Sequence, residues 1–255
     1  MKLFSKVKGC GEPVILIHGL FGSADNLSKL SRALSEHYEV HSLDARNHGR
    51  SPFSAEMNYA LMAEDVHSYI KDNRLIRPKL IGHSMGGKIV MDVAATFPES
   101  VGCVIVADIA PVKYEPHHTK IFEGLRSLDL KALSSRSDAD QKLSLFISEM
   151  PIRQFLLKNL YKNSAGEFDW RFNLNALFEN YSNILAGVST DKPCRKNILF
   201  IAGAASDYIL PSHREKIKSM FPKAEFKKIV GATHWLHAEK PEIFNALCLG
   251  FLLSE

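Results

Sequence analysis

Nowhere does the 255-residue chain offer the run of about 20 apolar residues that a membrane-spanning helix needs, and its opening, MKLFSKVKGCGEP, lacks the apolar stretch that directs export. No membrane span is therefore expected. The four cysteines, Cys10, Cys103, Cys194 and Cys248, show no CxxC pairing, and Cys103 and Cys248 lie in apolar segments where a free thiol behaves as a small hydrophobe. Reduced thiols in a cytoplasmic protein are the expectation. Charge of either sign is not in excess: 32 Lys plus Arg oppose 28 Asp plus Glu for a net +4 at pH 7, with no basic run or interleaved aromatic stripe, so no nucleic-acid partner is expected. Internal repeats and low-complexity tracts are also missing. The adjacent His117 and His118 read as surface rather than as a metal site, and no metal is expected.

Apolar residues make up 45% of the chain and charged residues 24%, an ordinary globular balance, and this length can bury one substantial core. Short apolar runs alternate with helix-period segments at both ends of the chain, which predicts a mainly parallel sheet with helices packed on it. Val14 to His18, Glu39 to Leu43, Lys79 to His83 and Val101 to Ala107 read as strands. Leu27, Leu30 and Leu34 recur at helical spacing, as do Leu61, Met62, Val66, Tyr69 and Ile70, and a helix after Ser84 must stop by Pro98. From about Pro111 to Thr190 the strand alternation gives way to helix-period clusters such as Phe155, Leu156, Leu157 and Leu160. Residues 111–190 are thus expected to form a helical cap inserted in a core of residues 1–110 and 191–255. After Pro193 the alternation resumes, with strands Ile198 to Ala202 and Glu225 to Val230 and helices opened by Pro211 and Pro241.

GHSMG, residues 82–86, matches GxSxG between an expected strand and an expected helix, the context in which that motif forms a nucleophile elbow. A Cβ at position 82 or 86 would crowd the tight turn, and the turn lifts the Ser84 hydroxyl above the sheet edge. HGLFGS, residues 18–23, follows the first strong strand, where such a fold carries half of its oxyanion hole. The amides of Leu20 and Met85 are the expected donors, with Phe21 the alternative at the first position and a candidate pocket wall. His18 reads as a brace for this loop. His234, in GATHWLHAEKP, lies between the last strand and the last helix, where a general base can meet the serine with one ring nitrogen and a carboxylate with the other. His237 is its competitor three residues on. Two aspartates could serve as that carboxylate. Asp207 follows the strand LFIA near the commonest acid position of the fold, but the GxxD slot counted from Gly203 holds Ser206; Asp108 ends the strand next after the nucleophile strand. Asp108 is preferred and Asp207 is the alternative. Phe155, Leu156, Trp170 and Trp235 are candidate substrate-binding residues beside Phe21.

Taken in order, HGLFGS, DARNHGRSP (44–52), GHSMGGK (82–88), DIAPV (108–112), QFLLK (154–158), WRFN (170–173) and HWLHAEKP (234–241) resemble the motifs of the YbfF-like esterases of the α/β-hydrolase superfamily, over nearly the whole chain. The resemblance implies an α/β-hydrolase fold and an esterase acting on small-molecule acyl esters and acyl thioesters without a cofactor. It also implies Asp108 as the acid, because the family acid aligns with the aspartate of the DIAP segment. Asp207 departs from the pattern, since the family does not usually carry aspartate there. Two other readings share the constellation: a C–C or C–O bond hydrolase or lyase on the same triad, and a slow-turnover receptor that keeps the pocket as a ligand site.

Overall fold

Short runs of Val, Ile and Leu, bounded by turns, assemble into a seven-stranded sheet with helices on both faces. The computed structural model describes residues 1–190 and 192–255. In chain order, β1 (Ser5–Lys8) and β2 (Pro13–Ile17) lead to α1 (Ser28–Leu34), β3 (Glu39–Leu43), α2 (Tyr59–Asp72), β4 (Lys79–His83), α3 (Met85–Thr96) and β5 (Val104–Ala107). The chain then runs through α4 (Thr119–Ser127), α5 (Arg136–Leu143), α6 (Met150–Leu157), the hairpin β6 (Leu160–Lys162) and β7 (Phe168–Trp170), α7 (Leu174–Glu179) and α8 (Tyr181–Leu185). It returns to the sheet with β8 (Ile198–Gly203), α9 (Arg214–Met220), β9 (Ala224–Ile229), α10 (Leu236–Glu239) and α11 (Pro241–Leu253). The strand order is β1-β3-β2-β4-β5-β8-β9, and only β1 runs antiparallel to its neighbour.

Two apolar layers hold the sheet. Along β2 the side chains alternate: Ile15 and Ile17 join the layer under α2 and α3, while Val14 and Leu16 face α1 and α11 through Leu30, Leu34, Phe244 and Cys248. Each of these aliphatic side chains is nearly inaccessible to solvent, and burial of one contributes roughly 1.5–3 kcal/mol. The first layer continues without a break into the inserted segment through Phe122, Leu125, Leu156 and Leu177. Because the central strands are parallel, the loops that follow β2, β4, β5, β8 and β9 all leave the same edge of the sheet, so residues far apart in sequence meet there.

Three strands were not anticipated. β1, β6 and β7 hold three or four residues each, too few for a period-two pattern to register, and β1 is half charged. The fourth expected strand starts at Val104 rather than Val101, because the Gly102 amide turns to the Pro78 carbonyl and the ladder to β8 begins only at Val104. Among the described residues, no helix is long and apolar enough to cross a membrane.

The inserted segment is tied to the sheet layer by polar bonds. The Tyr59 hydroxyl donates to the Ile184 carbonyl at 2.7 Å, and the Asn183 side chain donates to the Met57 carbonyl at 3.1 Å. Lys88 of α3 is 1% exposed, its ammonium donating to the Leu185 carbonyl at 3.2 Å and to that of Ala186, above the rings of Tyr59 and Tyr114. Burial pushes this amine down to about 7. The unfolded chain therefore holds a proton that the folded one has released between about pH 7 and the ordinary lysine value, so stability rises with pH across that window. Urea unfolding of wild type and Lys88→Met from pH 7 to 9.5 is expected to show a wild-type gain of up to about 1.4 kcal/mol per pH unit that the variant lacks. Parallel pH dependences would contradict it.

Candidate active site

β4 ends at His83 and α3 begins at Met85, so Ser84 makes the entire turn, at φ 53 and ψ −119. That backbone is strained for a residue with a side chain, by roughly 1–3 kcal/mol, and it is allowed by two backbone contacts. A Cβ on Gly82 would stand 2.1 Å from the Gly86 carbonyl oxygen, and one on Gly86 would stand 2.2 Å from that of Ile17. Only glycine lets the strand, the turn and the helix approach this closely. Met85, as the first helical residue, has an amide with no intrahelical acceptor, at the positive end of α3.

The loop after β2 faces this turn. Its Phe21 adopts φ 58 and is held from both sides: its amide donates to His48 Nε2 at 3.1 Å, and its carbonyl accepts from the Asn159 side chain at 2.8 Å. His48 Nδ1 donates to the Arg46 carbonyl at 2.9 Å, which leaves Nε2 as the acceptor, and burial, then neighbouring His18, push its pKa down to about 3. His18 braces the same loop, with Nδ1 donating to the Gly19 carbonyl at 2.8 Å and Nε2 accepting the Ala45 amide at 3.1 Å. The Phe21 amide is thus spent on His48, whereas the Leu20 amide has no protein acceptor among the described residues. Of the two alternatives, Leu20 is the one free to meet a ligand.

Asp108 follows β5 at φ 51 with no solvent exposure. Its Oδ1 accepts the Gly203 amide at 2.9 Å, and its Oδ2 accepts His234 Nδ1 at 2.8 Å and the Ser206 hydroxyl. A carboxylate can only accept, so the His234 proton sits on Nδ1 and the Nε2 lone pair is free. The loop carrying His234 is fixed from two further directions: His83 Nε2 donates to the His234 carbonyl at 2.9 Å, and the Ala205 amide donates to Ala232 at 2.9 Å. Tyr208 stacks on the imidazole, with ring centroids 3.9 Å apart.

Ser84, His234 and the Gly19–Gly22 loop line one cavity of about 220 Å³, together with the apolar side chains of Ile121, Ile152, Phe155, Leu156 and Trp235 and the polar ones of His117, His118 and Tyr208. Phe21, Phe155, Leu156 and Trp235 all line this cavity. Trp170 is a correction: it is 4% exposed, stacks on Phe172 at 5.1 Å and borders a separate groove, so it packs the inserted segment rather than lining the cavity. Asp207 is another. It is exposed and forms no hydrogen bond to His234, because the one-residue offset turns it outward and leaves Ser206 facing Asp108. His117 is exposed, as read, and His118 is half-buried, and both border the cavity; buried His237 lines it too, against His83, centroids 4.3 Å apart. Ser206 was visible in sequence as the occupant of the GxxD slot; Tyr208 and His118 carried no signal, since their positions depend on loop paths.

The sequence matches the family model described as alpha/beta hydrolase fold over residues 12–241. It is 45% identical over 232 residues to a putative esterase/lipase of Haemophilus influenzae, covering 90% of this chain and 79% of that protein. It is 36% identical over 234 residues to esterase YbfF of Escherichia coli, covering 90% and 89%. Among solved structures, an esterase from a marine microorganism superposes with a TM-score of 0.96 at 41% identity, covering 98% of this chain and 99% of that one.

Burial holds several imidazoles around the cavity neutral: His48 and His118 fall to about 3, His237 to about 4, and His83 well below the ordinary 6.5. In the unfolded chain all of them bind a proton near 6.5. Their contribution to stability is complete above that pH and is lost as pH falls toward 4. Unfolding free energy measured from pH 7 to 4.5 should drop steadily, and His237→Gln should flatten the slope by up to about 1.4 kcal/mol per pH unit. An unchanged slope in that variant would show that His237 protonates freely in the folded state.

Proposed function

The chain belongs to the alpha/beta hydrolase fold family, and on that premise we propose that it is a serine carboxylesterase that works through an acyl-enzyme on Ser84. One observation carries the reading: His234 has Nδ1 committed to buried Asp108 and Nε2 free, in the cavity that Ser84 also lines. Ser84 Oγ attacks the ester carbonyl and gives its proton to His234 Nε2, while Asp108 keeps the ring in the tautomer that can take it. The carbonyl oxygen becomes negative between the Leu20 and Met85 amides, and loss of one such donor typically costs about 3–4 kcal/mol. His234 then protonates the leaving oxygen, and the alcohol departs. Water, activated by the same imidazole, returns the serine and releases the acid.

No step calls for a cofactor or metal. Residues 111–190 act as a lid that excludes bulk water, a role supported by Asn159, which reaches from this segment to the Phe21 carbonyl. The substrate is a small ester: the cavity of about 220 Å³ is below the roughly 300–1,000 Å³ typical of sites for drug-sized ligands. Its apolar wall suits a short acyl chain, and an acyl thioester presents the same carbonyl to Ser84. The four free thiols fit a reducing, cytoplasmic setting.

The test is turnover of ethyl, phenyl and acyl-CoA esters by wild type and three variants. Ser84→Ala is expected to lose about 10⁶-fold and Asp108→Asn about 10⁴-fold in kcat, with Asp207→Asn within about threefold of wild type. Full activity in Ser84→Ala, or loss in Asp207→Asn with Asp108→Asn unaffected, would overturn the assignment.

A further inference from the structure

Tyr181 opens α8, and its hydroxyl lies between three groups of the loop before α4: the His117 amide at 3.3 Å, the His118 amide at 3.0 Å and His118 Nδ1 at 2.8 Å. A phenol oxygen has two lone pairs and one proton. The two amides can only donate, so they occupy both lone pairs, and the single proton must go to His118 Nδ1. A neutral imidazole that accepts on Nδ1 carries its own proton on Nε2. That Nε2–H has no protein acceptor among the described residues, and the ring borders the cavity shared by Leu20, Ser84 and His234. Burial, followed by His117 and then His234, holds the pKa down to about 3, so the ring stays in this neutral form at ordinary pH.

The neighbouring donors are already used. His117 Nδ1 donates to the Glu115 carbonyl at 2.8 Å, which leaves its Nε2 to accept the proton of the Tyr208 hydroxyl. Tyr208 in turn stacks on His234. His118 is therefore linked to the imidazole that protonates the leaving oxygen through His117 and Tyr208, with ring centroids 4.1, 5.4 and 3.9 Å apart in turn, while Ile152, Phe155 and Leu156 line the same cavity.

We infer that His118, with its tautomer fixed by Tyr181, is a specificity-determining donor that favours esters carrying a hydrogen-bond acceptor atom in the alcohol portion. The inference rests on the esterase reading and adds a substrate class to it: alkoxyalkyl or hydroxyalkyl esters over plain alkyl esters of equal size. A half-buried N–H that borders the cavity and has no protein acceptor favours the ester that can accept from it over the isostere that cannot. Tyr181 acts as a positioning residue through His118.

The experiment compares 2-methoxyethyl butyrate with n-butyl butyrate, which have the same number of heavy atoms, as the ratio of kcat/KM values in wild type, His118→Phe and Tyr181→Phe. The same measurement is made with an acyl-side pair, butyl 3-methoxypropanoate against butyl pentanoate. The ratio for the first pair is expected to fall about tenfold or more from wild type to His118→Phe, with a wild-type-like thermal melting curve and circular dichroism spectrum reporting an intact fold. Tyr181→Phe should lower the ratio as well, since Nδ1 is then free to take the proton. The acyl-side ratio should not move. An alcohol-side ratio unchanged in His118→Phe, or a change confined to the acyl-side pair, would overturn the inference while leaving Ser84-dependent hydrolysis standing. No wild-type turnover of any ester, or turnover that survives Ser84→Ala, would instead sink the esterase reading, and this inference with it.

Discussion

A carboxylate with no solvent exposure is the constraint on which the site depends. Burying a charged group is costly unless donors surround it, and Asp108 has three: the Gly203 amide, the Ser206 hydroxyl and His234 Nδ1. These come from the end of β8 and from the loops after β8 and β9, so satisfying one charge just beyond β5 pins two neighbouring loops to it. The requirement works in both directions. Asp108 needs His234 as a donor, and His234 so held has one tautomer and one free nitrogen. The left-handed backbone at Asp108 is a further cost, sustained by the Asp108 amide bonding to the Ile201 carbonyl at 2.8 Å.

Ser84 and Phe21 are strained in the same sense, and each is held by contacts that leave little freedom. Ser84 is confined by two glycines packed backbone to backbone, and Phe21 by His48 on one side and Asn159 on the other. Since Asn159 belongs to the inserted segment, the loop that carries the Leu20 amide takes its shape from both parts of the chain. Lys88, four residues beyond Ser84, binds the end of α8 by its ammonium group. The helix that presents the serine is thereby hydrogen-bonded to the inserted segment.

Much of this was legible in the chain. Val14–Ile17, Lys79–His83 and Ile198–Gly203 lie in the middle of the sheet, where burial on both faces demands continuous apolar runs, and such runs are easily read. GHSMG was legible because its glycines answer a steric need that no other residue meets. The preference for Asp108 over Asp207 came from strand position and family resemblance; the separation of Leu20 from Phe21 did not, because only coordinates reveal that His48 occupies the Phe21 amide. Trp170 and His118 mark the limit. Whether an aromatic ring in a helical segment packs inward or lines a cavity depends on how short elements such as β6 and β7 turn, and those three-residue strands leave almost no pattern. Trp170 sits on β7 and is turned away from the cavity, while His118 is turned toward it.

The central claim is that buried Asp108, acting through His234, makes Ser84 reactive. Labelling with an alkyl fluorophosphonate, located by mass spectrometry and followed over time, tests it without reference to any substrate. The account predicts one adduct, on Ser84, formed at least about a hundredfold more slowly in Asp108→Asn than in wild type. An adduct on another residue, or equal labelling rates in the two proteins, would contradict it.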